Sequence, residues 1–107
     1  MRFEILKYES VTSTNDVAIN LIKEKNKLTG CICSNLQTKG RGRYGKKWIS
    51  KKGNLFLTIF FPMNKKYPSF QEFSIVNPVI ILDIIKKYCD EKKLRLKFPN
   101  DILYDGK

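Results

Sequence analysis

The segment Asn54-Leu55-Phe56-Leu57-Thr58-Ile59-Phe60-Phe61 constrains this chain more than any other. Gly53 and Pro62 bound it, it is too short for a stable helix, and its residues are those that suit a pleated surface. On a strand, alternate residues point to opposite sides. Leu55, Leu57, Ile59 and Phe61 then line one face, and Phe56 and Phe60 the other, with Thr58 between them. A strand apolar on both faces is expected at the centre of a sheet, with packed layers above and below. A chain of 107 residues, 42% of them hydrophobic, has the material for one such domain and not for two.

The flanking sequence supplies the other layers. Residues 3–8 read as a short strand. Ser13, followed three residues later by Asp16, is a capping-box-like start to a helix. Val17, Ala18, Leu21 and Ile22 share one face of that helix, which should end near Lys27, ahead of Gly30. Residues 31–36 read as a second strand, and residues 37–52 as a loop. After a polar connection over 62–68, a second helix is expected from Asn77 or Pro78 to about Asp90, with Pro78 at its first position. The alternative is a longer helix from Phe70, kinked at Pro78. Residues 94–98 read as a strand, Pro99-Asn100 breaks it, and 102–104 resume extended structure. Asp105-Gly106 is then a two-residue hairpin signal.

The charge is unevenly placed. The chain carries 21 Lys and Arg against 10 Asp and Glu, a formal net charge of +11. Seven cations, Lys39, Arg41, Arg43, Lys46, Lys47, Lys51 and Lys52, fall in one stretch without an acid. Gly40-Arg41-Gly42-Arg43-Tyr44-Gly45 lies at its head, and three glycines in six residues disfavour helix and strand. Such a loop brings backbone N–H groups and guanidinium forks to a phosphate or carboxylate. On composition alone, a solvated basic loop and a surface for nucleic-acid phosphates both remain open.

Other chemistries have less to work with. There is no His, and only Cys31, Cys33 and Cys89, too few ligands for a zinc site. No apolar run is long enough to span a bilayer, and residues 1–5 carry no apolar signal region. A cytoplasmic chain with reduced thiols, away from the membrane, is therefore expected.

Three segments together resemble a known family. They are Ser13-Thr14-Asn15, the run from Gln37-Thr38-Lys39-Gly40-Arg41-Gly42-Arg43 through Tyr44-Gly45-Lys46-Lys47-Trp48, and Lys97-Phe98-Pro99-Asn100-Asp101. In order and spacing they are similar to the biotin–protein ligases, within the group that includes the lipoate–protein ligases. The Gly-Arg-Gly-Arg loop followed by Lys-Trp is the most specific element. The resemblance implies an α+β fold with a mixed, mainly antiparallel sheet and helices packed on it. That fold resembles the catalytic domain of class II aminoacyl-tRNA synthetases and biotin synthetases.

It also implies a two-step ligase. Biotin and ATP, with Mg2+, give biotinyl-5′-AMP, and a lysine of a biotin carboxyl carrier protein takes the acyl group. By the same carry-over, Ser13, Thr14, Asn15, Gln37, Gly40, Arg41, Gly42 and Arg43 would hold biotin. Arg41, Arg43, Trp48, Lys97, Asn100 and Asp101 would hold ATP and the adenylate. Arg43, Lys97, Asp101 and Lys107 would be the catalytic groups. Trp48 would anchor the far end of the loop while contributing to the core. Phe98 stands where the family usually has Trp.

Residues 1–107 are expected to be the front part of such a catalytic domain, without a preceding helix-turn-helix domain for DNA and without the C-terminal barrel. An unpaired strand edge would then favour homodimerisation. A lipoate or octanoate ligase of the same group and a small basic nucleic-acid-binding module are the alternatives.

Overall fold

The structure, a computed structural model, describes residues 2–107. These form two compact units, the first running to Met63 and the second spanning Asn64–Lys107. Together their elements make the expected mixed, mainly antiparallel α+β architecture.

In the first unit β1 (Ile5–Tyr8), β2 (Gly30–Ser34) and β3 (Phe56–Phe60) form a sheet in the order β1-β2-β3. β1 runs parallel to β2 and β3 antiparallel to it. Helix α1 (Thr14–Lys25) makes the crossover between β1 and β2, as a parallel pair requires, and packs on β2 and β3. The register decides which face it covers. Gly30 pairs with Phe60, Ile32 with Thr58 and Ser34 with Phe56. Directly paired residues share a face, and on this one Gly30, Ile32 and Ser34 are all buried. Ile32 is completely buried, worth about 1.5–3 kcal/mol for a side chain of its size. Cys31 and Cys33 point the other way and are half-buried free thiols, and burial pushes the Cys31 thiol up.

Two expectations change here. The apolar run of β3 does not sit at the centre of the sheet. β2 is central, and Leu55, Leu57 and Ile59 on the second face of β3 are exposed. Two apolar faces reveal what a strand needs to cover, not how many strands flank it. Helix α1 also ends two residues early. Asn26 takes the left-handed conformation, φ 48°, and the Lys27 N–H closes on the Leu21 carbonyl, so Asn26 and not Gly30 stops the helix.

In the second unit α2 (Phe70–Ile85) packs against a hairpin of β4 (Leu94–Lys97) and β5 (Asp101–Tyr104). The longer alternative for this helix is the one that forms. Ser69 and Glu72 make a full capping box that satisfies the first turn, and Pro78 is accommodated inside the helix. The C-terminal end falls at Ile85, short of Asp90, because the following N–H groups of Lys87 and Tyr88 tighten onto carbonyls three residues back. The Phe98–Pro99 peptide is cis and lies in the β4–β5 connection. Asp105 and Gly106, at φ 53° and 78°, complete the turn announced by the sequence. Tyr104 and Lys107 exchange both backbone hydrogen bonds across it. No helix among the described residues is long and apolar enough to cross a membrane.

Candidate functional site

Ser13, at the N-cap of α1, is extended and buried, and its hydroxyl accepts from the Asp16 N–H at 3.0 Å. This fixes the first turn and points Thr14 across to the segment that leaves β2. There the Gln37 Oε1 accepts from both the Thr14 N–H, at 2.8 Å, and the Thr14 hydroxyl, at 3.1 Å. The first helical N–H groups have no partner within the helix, so the glutamine side chain satisfies one of them. Its own Nε2 donates to the Ser50 hydroxyl at 3.1 Å. Thr58 Oγ lies 2.8 Å from Thr14 Oγ and 2.6 Å from Asn15 Oδ1. Asn15, Thr58, Thr14, Gln37 and Ser50 thus form one continuous polar chain. Ser50 also lies 3.4 Å from the Trp48 carbonyl oxygen.

Thr58 and Ser50 are members that sequence reasoning passes over. The signal for Thr58 is present nonetheless: it is the one polar residue inside an otherwise apolar strand, on the face covered by α1. Ser50 carries no such signal. It reaches the site only because Gln37 and Ser50 pair as an antiparallel bridge across the basic segment.

That segment is not an open loop. Val11 and Gln37 pair in parallel, and the N–H groups of Thr38 and Lys39 donate to the carbonyls of Val11 and Thr12 at 2.9 and 2.8 Å. The chain then runs out as a narrow hairpin. The Trp48 N–H donates to the Gly40 carbonyl, the Gly42 N–H donates to the Lys46 carbonyl, and Arg41 faces Lys47. The tip turns at Arg43–Gly45, where Tyr44 and Gly45 both take positive φ, 59° and 72°.

Gly40 serves close approach. A Cβ on Gly40 would stand 2.5 Å from Ser50 Oγ, 2.8 Å from the Trp48 carbonyl oxygen and 3.1 Å from Gln37 Nε2. At Gly42 there is room: a Cβ would lie at an ordinary contact distance, 3.5 Å, from Trp48 Cε3. Trp48 closes the base of the hairpin through its backbone, but it is 60% exposed and is not the core residue expected.

The two arginines have different surroundings. Arg41 Nη2 donates to Asp16 Oδ1 at 2.8 Å, and Asp16 Oδ2 accepts from the Thr12 hydroxyl. The Arg41 hydrogen bond holds the Asp16 carboxyl below its ordinary value, against the opposing effect of burial. Arg43 lies over the Tyr44 ring, 5.4 Å from its centroid. The structure therefore brings Ser13, Thr14, Asn15, Gln37, Gly40 and Arg41 together, with Gly42, Arg43 and Trp48 on the attached hairpin.

Lys97, Asn100, Asp101 and Lys107 belong to the second unit. Lys97 and Asp101 are directly paired at the closed end of the β4–β5 hairpin, and Asn100 precedes Asp101 in the turn that joins the strands. Lys107 lies at the opposite end, paired with Tyr104.

What this arrangement offers a ligand is a set of hydroxyl and amide groups with both donors and acceptors, flanked by a cationic hairpin. Such a set suits a compact polar heterocycle with an anionic group attached.

The model of the biotin/lipoate A/B protein ligase family matches residues 7–107. The bifunctional ligase/repressor BirA of Escherichia coli is 32% identical over 93 residues, covering 86% of this chain and 28% of the relative. Two solved structures share the fold over nearly the whole chain. The biotin protein ligase of Leishmania major, in complex with biotinyl-5-AMP, is 28% identical with a TM-score of 0.73, covering 97% of this chain and 48% of that one. The Aquifex aeolicus biotin protein ligase, in complex with biotin and ATP, is 27% identical with a TM-score of 0.75, covering 94% and 41%. The chain thus spans less than a third of the E. coli relative and under half of each solved ligase.

Proposed function

Because the chain belongs to the biotin/lipoate A/B protein ligase family, we propose that it carries the biotin-recognition and adenylate-holding residues of a biotin–protein ligase. In the proposed reaction a biotin carboxylate oxygen attacks the α-phosphorus of ATP and pyrophosphate leaves. A lysine amine of a biotin carboxyl carrier protein then attacks the acyl carbon, and AMP leaves. ATP as co-substrate fits a cytoplasmic setting.

The observation that carries this reading is the double hydrogen bond from Thr14 to Gln37, embedded in the chain of Asn15, Thr58 and Ser50. A ureido ring presents two N–H donors and a carbonyl acceptor, and a site of hydroxyls and amides matches it. The dithiolane of lipoate presents neither N–H donors nor a carbonyl acceptor and would make no use of these groups. This favours biotin over the lipoate alternative.

A carboxylate and a phosphate repel each other, so the site must hold fixed positive charge where they meet. In this proposal Arg43 supplies it, on a hairpin that covers the acyl phosphate and excludes water. Lys97 is proposed to hold phosphate, Asn100 and Asp101 the nucleotide, and Lys107 the activated acyl group. No group of three or more carboxylate or thiol side chains able to cage a cation gathers among the described residues. Mg2+ enters this reading with the ATP phosphates as part of the substrate, which suits its reluctance to shed water. Homodimerisation through a strand edge remains part of the proposal, and light scattering tests it.

Calorimetry with biotin, then with a non-hydrolysable biotinyl-adenylate analogue, tests the reading. Analogue binding that is lost in Arg43→Ala supports it. Absence of binding alongside steeply salt-dependent affinity for RNA or DNA would overturn it in favour of the nucleic-acid module.

A further inference from the structure

Asp16 is committed in two directions. Its backbone N–H closes the cap of α1 on Ser13, while its carboxylate turns outward to the basic hairpin. One carboxylate oxygen takes the Arg41 guanidinium and the other the Thr12 hydroxyl, so both are occupied. The hairpin is tied by its backbone to the Val11–Thr12 segment only as far as Lys39. Arg41 to Asp16 is the next connection outward, and it is made by side chains alone. Beyond it come the tip residues, including Arg43, which has no carboxylate within ion-pair distance among the described residues.

We propose that Asp16 is a positioning residue: its ion pair with Arg41 latches the basic hairpin to the N-terminus of α1 and leaves Arg43 as the cation that meets the ligand's anion. The proposal rests on the ligase reading for the identity of that ligand, and on geometry alone for the latch. A guanidinium paired with a carboxylate is close to a neutral unit, so the pair directs the hairpin without competing for the anion. The pair is solvent-exposed on both sides, with side chains 46% and 33% accessible. Such pairs contribute little to overall stability but bias a local open–closed equilibrium by about two- to five-fold.

Trp48 is the sole tryptophan and is bonded to Gly40 across the base of the hairpin, so its fluorescence reports the latch without any ligand. In the full chain, Asp16→Asn and Asp16→Ala are expected to raise the rate of tryptic cleavage within residues 39–47 by about two- to five-fold, and acrylamide quenching of the already half-exposed Trp48 by a smaller, measurable amount. Cleavage elsewhere should stay unchanged, and the thermal midpoint should fall only slightly, as for other exposed ion pairs. Asp16→Glu should restore most of the protection, and the charge-exchanged pair Asp16→Arg with Arg41→Asp should restore the parental quenching that each single reversal loses.

The biotinyl-adenylate analogue should dissociate about two- to five-fold faster from Asp16→Asn. Unchanged quenching and cleavage in Asp16→Asn, or no recovery in the exchanged pair, would overturn the latch even if the analogue binds. Recovery in the exchanged pair without any analogue binding would uphold the latch and overturn the ligase reading.

Discussion

Gln37 Oε1 accepts both polar hydrogens of Thr14, the backbone N–H at 2.8 Å and the hydroxyl at 3.1 Å. One side-chain oxygen thereby joins the first residue of α1 to the segment that leaves β2, 23 positions away in sequence. Replacing Gln37 by Leu would leave the Thr14 N–H without its partner, at a cost of about 1–3 kcal/mol. Glu at this position keeps the acceptor and loses only the donor to Ser50, so its cost should be smaller. Urea unfolding of the two variants gives the comparison; an equal loss in both would contradict this account.

Gly40→Ala tests the crowding at the base of the hairpin. The added methyl meets Ser50 Oγ, the Trp48 carbonyl and Gln37 Nε2, and the carbonyl cannot rotate away. Overpacking of this kind costs about 1–3 kcal/mol. Because the displaced groups belong to the polar chain, biotin affinity should fall together with the unfolding midpoint. A calorimetric titration that matches the parent would show that the site tolerates the shift.

Gly30 and Phe60 form a second contact of this kind within the sheet. They are directly paired, and a Cβ on Gly30 would lie 2.6 Å from a Phe60 ring carbon. Gly30→Val should destabilise the first unit by about 1–3 kcal/mol. Much of that loss should disappear when Phe60→Leu is already present. Coupling in a double-mutant cycle, measured by denaturant unfolding, is the expected outcome, and strict additivity is not.

Gly106 sits at φ 78° in the turn between Tyr104 and Lys107, where a side chain is strained whatever the surrounding space. Gly106→Val should cost about 1–2 kcal/mol and fray the exchange of hydrogen bonds across the turn. Amide hydrogen exchange at Tyr104 and Lys107 should quicken, with β2 unaffected.

Acid should weaken the first unit in a defined direction. The hydrogen bond from Arg41 lowers the Asp16 carboxyl, and hydrogen bonds from Lys52 and Asn35 lower that of Glu9. With the folded-state values depressed, the unfolded chain takes up protons first as pH falls. The stabilisation is complete above the ordinary carboxylate range of about pH 4 and is lost as pH drops through the lower folded values. Asp16→Asn combined with Glu9→Gln should therefore show a shallower acid limb in a stability–pH profile. An acid limb identical to the parent would assign no such role to these two groups.

Much of the fold was legible because its signals are local. Ser13 reads as a cap, the alternation through 54–61 reads as a strand, and Asp105-Gly106 reads as a hairpin turn, each from the conformational preferences of a few neighbouring residues. The second helix was harder for a reason of the same kind. Pro78 suits a helix start, yet the capping box of Ser69 and Glu72 secures the first turn earlier. The edge position of β3 was not legible at all, since both of its faces are apolar and partner number is not written in the strand.

At the site, the motifs at Thr14, Gln37, Arg41 and Arg43 stand out in the sequence, but their division of labour does not. Nothing local distinguishes Arg41 from Arg43; one meets Asp16 and the other does not because α1 returns its first turn to the base of the hairpin. Thr58 and Ser50 join the polar chain for the same reason. The amino-acid sequence alone determined which segments are helix, strand and turn, and which family their motifs resemble, since caps, periodicity and motif residues are written along the chain. Only the tertiary structure decided which side chains share a hydrogen bond, because that depends on strand register and on chain segments brought together across 13 to 44 positions.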